Sequence, residues 1–198
     1  MKTNYVLIDY ENVQPEAISV LNKEHFNVIV FVGANQSKVS FDTAAVLQQM
    51  GDRAQYIKIS GNGHNALDFH VAYYIGELAN KHPEAYFHIV SKDSGFDPLI
   101  AHLKTKKILV CRSKDVSEIP IIKASNSKSP SEKLEVIIAD LKRRGASKPR
   151  AVKTLSSTIN SMFQKQLPES ELASLLSTLV SKGLISIVET KVSYNLPN

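Results

Sequence analysis

The 198-residue chain has a single cysteine, Cys111, and that scarcity removes whole classes of chemistry. No internal disulfide can form, and a thiol-ligated metal site is excluded. Cys111 closes the run Lys107-Ile108-Leu109-Val110-Cys111, which marks it as a buried small apolar group. Long hydrophobic runs are missing as well: none approaches the roughly 18 to 20 residues needed to cross a bilayer. Asp9 and Glu11 interrupt the only candidate apolar stretch near the N-terminus, so no signal peptide is expected. Internal repeats are absent. What is present, 43% hydrophobic and 22% charged residues, is the composition of a soluble globular protein. A reducing, cytoplasmic setting without a membrane partner is the resulting expectation.

The net charge of +5 is unevenly distributed. Residues 1 to 103 hold 7 Lys/Arg against 11 Asp/Glu, a net of −4, whereas residues 104 to 198 hold 17 against 8, a net of +9. An acidic first half suits a metal site, and a basic second half suits phosphate contacts with a polyanion.

The first segment alternates short apolar runs with helical patterns, the signature of βαβ units and a parallel sheet. Strands are expected at Tyr5–Asp9, Asn27–Val32, Ala54–Ile59, Ala85–Ser91 and Lys107–Cys111. Helices are expected at about Pro15–Asn22, Phe41–Met50, Asn65–Asn80 and Phe96–Thr105, with Asn65 as the third helix's N-cap. Ile119–Ile122 reads as a further edge strand, demoted by Pro120. Residues 1–122 would form this α/β domain and the polar stretch 123–130 a linker. Residues 131–198 would form a second domain. Ser131 caps its first helix, to about Arg144; two more follow at Pro149–Met162 and Pro168–Lys182. A hairpin of Leu184–Val188 and Lys191–Asn195 completes it. Three helices and a hairpin is the order of a winged helix-turn-helix.

Chemistry concentrates in three places. Asp9 ends the first strand, with Asn12 three residues on and Glu11 between them. Asp68 falls in the first turn of the third helix, after the Gly-rich loop Ser60–Asn65, with His64 and His70 flanking it. Asp93 follows the fourth strand in Ser91-Lys92-Asp93-Ser94-Gly95-Phe96-Asp97-Pro98. In an open parallel sheet, ligand-binding groups gather beyond the carboxyl ends of the strands. Carboxylates gathered there repel one another unless a cation sits among them. Oxygen ligands suit a hard divalent cation, Mg²⁺ or Mn²⁺, while His64 and His70 lack the spacing of a zinc site. Each acid also has a plainer reading, in turn formation or in favourable interaction with a helix N-terminus.

Taken together, Leu7-Ile8-Asp9-Tyr10-Glu11-Asn12, the stretch from the Gly61 region through Asn65-Ala66 to Asp68-Phe69, and Ser91 to Ile100 resemble the PIN-like nucleases, specifically the NYN branch, over about residues 3 to 115. The resemblance implies a Rossmann-like, three-layer PIN-type α/β fold. It further implies a ribonuclease in which Asp9, Asp68 and Asp93 hold Mg²⁺ or Mn²⁺ and activate water, aided by Asn12, with Ser91 and Asn12 positioning the phosphate. Many members carry another acid where this chain has Gly95; Asp97, two residues on, is the candidate replacement in the metal site. The alternative is a catalytically weak RNA-binding or regulatory module with a degenerate site. The second domain is similar to the OST-HTH/LOTUS winged helices that accompany NYN nucleases in some proteins. Its basic cluster, Lys142, Arg143, Arg144, Lys148, Arg150 and Lys153, would contact phosphate. The expected partner is RNA, single-stranded or structured, with DNA, protein contact and a homo-oligomer left open.

Overall fold

A computed structural model describes residues 2–61, 63 and 65–197. The chain divides into two compact units, Met1–Ile119 and Pro120–Asn198. The first is built on β1 (Asn4–Asp9), β2 (Phe26–Val32), β3 (Ala54–Lys58), β4 (Tyr86–Val90) and β5 (Leu109–Ser113). They form one parallel sheet in the order β3-β2-β1-β4-β5. Side chains alternate along each strand. Tyr5 and Leu7 of β1 therefore enter a core with Phe31, Phe87 and Ile89, while Val6 and Ile8 point to the opposite face and are equally buried. Burial on both faces is the mark of a parallel sheet covered by helices.

The connecting helices are α1 (Phe41–Met50), α2 (Ala66–Lys81) and α3 (Phe96–Thr105). Leu67, Val71 and Ile75 recur at i, i+4 and i+8 on α2 and pack into the same core as Phe96, Ile100 and Leu103 of α3. The sheet and its flanking helices are the PIN-type α/β architecture. Strand order reverses at β1, whose two neighbours β2 and β4 lead away in opposite directions. Ligands of open α/β sheets bind at this switch point, outside the carboxyl ends of the strands.

Local departures from the expected elements have identifiable causes. The helix expected over Pro15–Asn22 is a 3₁₀ turn at Ile18–Leu21, and its two buried residues lie three apart, as a 3₁₀ turn requires. β5 begins two residues late because Lys107, at φ 63°, belongs to the closure of α3: its amide bonds the Lys104 carbonyl. Asn65 lies in the left-handed region and makes no side-chain cap. His64, with Asn62, lies outside the described residues.

In the second unit, the expected edge strand and linker are largely helix. α4 (Pro120–Asn126) buries Ile122 and Ala124. Proline as the first helical residue loses no intrahelical bond, so the feature read as demoting a strand starts a helix. α5 (Pro130–Arg143) is capped by Ser129 instead of Ser131. Ser129 Oγ accepts from the Glu132 amide at 3.2 Å, and Glu132 Oε2 accepts from the Ser129 amide at 3.2 Å. α6 (Val152–Met162), α7 (Glu169–Ser181) and the antiparallel hairpin β6 (Ile185–Val188) and β7 (Lys191–Tyr194) follow. Ile137, Leu155, Ile159, Leu179 and Ile185 form this unit's own core.

Candidate active site at the switch point

Asp9 is the last residue of β1 and is almost fully buried. An ionised carboxylate accepts hydrogen bonds only, at about four lone-pair sites. Three of those are filled: Oδ1 accepts from the Asn12 amide at 3.2 Å, and Oδ2 accepts from Asn12 Nδ2 at 2.7 Å and from Ser91 Oγ at 2.7 Å. Ser91 is the residue after β4, whose side chain has no solvent exposure. Its hydroxyl also accepts from the Asp93 amide at 3.0 Å, so one buried serine ties the β1 end to the β4 end. Asp93 in turn accepts from the Gly95 amide at 2.7 Å, closing the turn into α3.

A cleft of about 240 Å³ opens over these strand ends. Asp9, Glu11, Asn12, Asp68 and Asp93 line it, so the three sequence-nominated aspartates and Asn12 share one cavity. Asp68 arrives from the first turn of α2. Glu11 joins them because β2 is followed by Gly33. A β-carbon there would lie 1.8 Å from Glu11 Oε1, so the missing side chain is what makes room for the carboxylate. The lining also includes Ala34 and Asn35, in a loop held by several hydrogen bonds. Lys58 donates to the Gly33 and Gln36 carbonyls at 2.6 and 2.5 Å, Gln36 Nε2 donates to the Tyr10 carbonyl, and the Ser40 amide donates to the Tyr10 hydroxyl.

Three expectations change here. Asp97 does not line the cleft: both its oxygens accept from Arg112, at 2.8 Å from Nε and 2.9 Å from Nη2. That forked pair holds the Asp97 carboxyl below its usual pKa, chiefly through the hydrogen bonds. Ser91, expected to touch phosphate, is instead spent on Asp9 and Asp93. In the second unit, Arg143 and Arg144 both donate to buried Asp140, Arg144 Nε at 2.5 Å. Removing either would leave a buried carboxylate poorly paired, so these arginines first serve the fold. Lys148 donates to the Gly145 carbonyl at 2.7 Å and lies 5.8 Å from the Tyr194 ring centre, while Arg150 and Lys153 are exposed. His70 bonds its own helix at the Ala66 carbonyl, 2.7 Å away. Arg112, Lys58 and Gly33 had no motif to announce them; their partners are distant in sequence.

Among the described residues, no three His, Cys, Asp or Glu side chains are grouped tightly enough to form a metal centre. The donor chemistry nevertheless fits a hard cation, since among the described residues the cleft offers carboxylate and amide oxygens and neither thiolate nor imidazole. Mg²⁺ keeps several waters and needs only one or two carboxylates, so acids spaced around a cleft suit it.

A family model described as PIN domain matches residues 3–113, which are the sheet and the cleft. The chain belongs to the PIN domain family. No curated protein and no solved structure matches it significantly. PIN domains are typically metal-dependent nucleases that generally use Mg²⁺ or Mn²⁺ and act on nucleic acid, usually RNA, which makes this PIN domain a hydrolase in general terms. Its cleft lies where such chemistry would act. Among the described residues, no helix of the chain is long and apolar enough to cross a membrane.

Proposed function

We propose that the chain is an endoribonuclease of the NYN branch that depends on Mg²⁺ or Mn²⁺ and acts in the cytoplasm. The observation that carries this reading is the cleft shared by Asp9, Glu11, Asp68 and Asp93 at the switch point of the sheet. A bound divalent cation would supply positive charge at the scissile phosphate and a more acidic attacking water. Asp9, Asp68 and Asp93 would hold it, with Glu11 as the acid that Gly95 does not provide. Asn12 and Ser91 fix the Asp9 carboxylate, and the Asn12 amide has a second N–H for a phosphate oxygen. The second unit, with its helices and hairpin, is a winged helix-turn-helix of the OST-HTH/LOTUS type. Its exposed Arg150 and Lys153 contact phosphate.

Asp93→Asn is the decisive variant, because it keeps the side-chain oxygen that meets the Gly95 amide and removes the charge. With labelled single-stranded RNA in Mg²⁺ or Mn²⁺, it should cut at least a hundred-fold more slowly than wild type while binding RNA equally. Normal cleavage would refute the site. A second reading, a regulatory RNA-binding module with a degenerate site, is favoured by the pairing of Asp97 with Arg112 and by the open spacing of the acids. Under that reading RNA binds but is not cut by wild type with any divalent metal.

A further inference from the structure

The solvent face of α2 is unusual in composition. Phe69 and Tyr73, one turn apart, are 72% and 65% exposed, on the side of the helix opposite buried Leu67, Val71 and Ile75. Ala72 and Gly76 complete the stripe, and a β-carbon at Gly76 would meet nothing within 4 Å. Helix surfaces facing water are normally charged or polar. Here a helical glycine, which costs stability, leaves clear space beside an aromatic ring. Tyr73 is braced edge-on by Tyr74 at 5.5 Å, and Tyr74 is braced in turn by Phe31 of the core at 5.5 Å.

We propose that Phe69 and Tyr73 are a stacking platform for unpaired nucleobases of the strand whose backbone enters the cleft. This rests on the nuclease reading and narrows its substrate to single-stranded nucleic acid. The first turn of α2 supplies both sides of the argument, since Asn65 to Asp68 line the cleft and Phe69 is the next residue. A strand leaving the cleft along α2 therefore meets the two rings. Flat aromatic surfaces accept every base, and the stripe continues directly from the cleft residues that would meet the backbone, so a nucleic-acid strand is the occupant its position favours. A duplex keeps its bases stacked internally and offers the rings nothing.

The test uses the full chain, with EDTA present so that binding is read without cleavage. Fluorescence anisotropy compares a single-stranded RNA, the same sequence as DNA, a duplex, and an abasic single strand. Phe69→Ala and Tyr73→Ala should each weaken single-strand binding about ten-fold, the order expected for one stacked base. Duplex and abasic strands should bind all variants alike, and Tyr73→Phe should retain wild-type affinity. RNA and DNA single strands losing affinity equally would mean that the platform reads bases and not the sugar; a loss confined to RNA would make RNA the ligand. Unchanged single-strand affinity in the double alanine variant overturns the proposal. So does an equal loss for duplex and abasic strands, or a loss of self-association by sedimentation in place of a loss of binding. If Asp93→Asn cuts normally yet the rings matter for binding, the nuclease site is wrong and the platform stands.

Discussion

Asp9 and Ser91 show how a carboxylate can be held at the edge of a core with no ion pair among the described residues. The Ser91 hydroxyl both donates and accepts, and each bond joins a different strand end. Ser91→Ala removes two hydrogen bonds at a buried position and leaves Asp9 dependent on Asn12. Urea denaturation should show a loss of about 1–3 kcal/mol; a loss under about 0.5 kcal/mol would mean that the bonds are redundant. Asp97 behaves differently, because its carboxyl is more than half exposed and Arg112 depresses its pKa. A depressed folded-state pKa contributes stability above the unfolded value, near ~3.9 for an aspartate, and that contribution fades as pH falls through the lower folded value. The stability gap between wild type and Asp97→Asn should thus be constant at neutral pH and shrink below about pH 4. A gap unchanged down to pH 2 would exclude the pairing. Asp93 and Asp97 were alike in the sequence, each an acid near a helix start. Only the β4–β5 pairing, which brings Arg112 opposite Ile89, separates a cleft acid from an ion-paired one.

At the scale of elements, local signals sufficed wherever the local interactions were strong. α1 and α3 occupy the spans their periodicity and stop signals indicate, and β1 and β2 differ from expectation by one residue each. Ser129-Pro130-Ser131-Glu132 contains two candidate caps, and the one with an acid three residues on wins, since the box satisfies two donors at once. Ser129→Ala should lower the stability of the second unit by about 1 kcal/mol, whereas Ser131→Ala should be nearly silent. Thermal unfolding followed by circular dichroism separates them, and equal effects would count against the box. The short polar stretch before it was legible only as composition. Its helix depends on Ala124 finding a core supplied by residues further along the chain.

Across the whole molecule, charge separates less sharply between the structural units than between residues 1–103 and 104–198. Met1–Ile119 carries 12 Lys/Arg and 13 Asp/Glu, a net of −1, and Pro120–Asn198 carries 12 and 6, a net of +6. The cleft is therefore acidic within a nearly neutral unit, and the polyanion-binding potential lies in the second. Arg150→Glu with Lys153→Glu should weaken RNA binding and flatten its dependence on log salt by about 1.4, the share of two phosphate contacts on a single strand. An unchanged slope would assign the second unit to protein contact. Arg143 and Arg144 are unsuitable for that experiment because Asp140 needs them. Taken by itself, the sequence determined the α/β class, the order of the five sheet strands along the chain and the nomination of Asp9, Asp68 and Asp93, though not of Glu11, because periodicity and strand-end position are local properties. The tertiary structure decided which polar groups face the cleft and which are consumed by the fold. Ser91, Asp97, Arg143 and Arg144 all carry suitable chemistry. Whether that chemistry is available depends on burial and on the nearest opposite charge or hydrogen-bond partner, and for Ser91 and Asp97 packing brings that partner from a distant part of the chain.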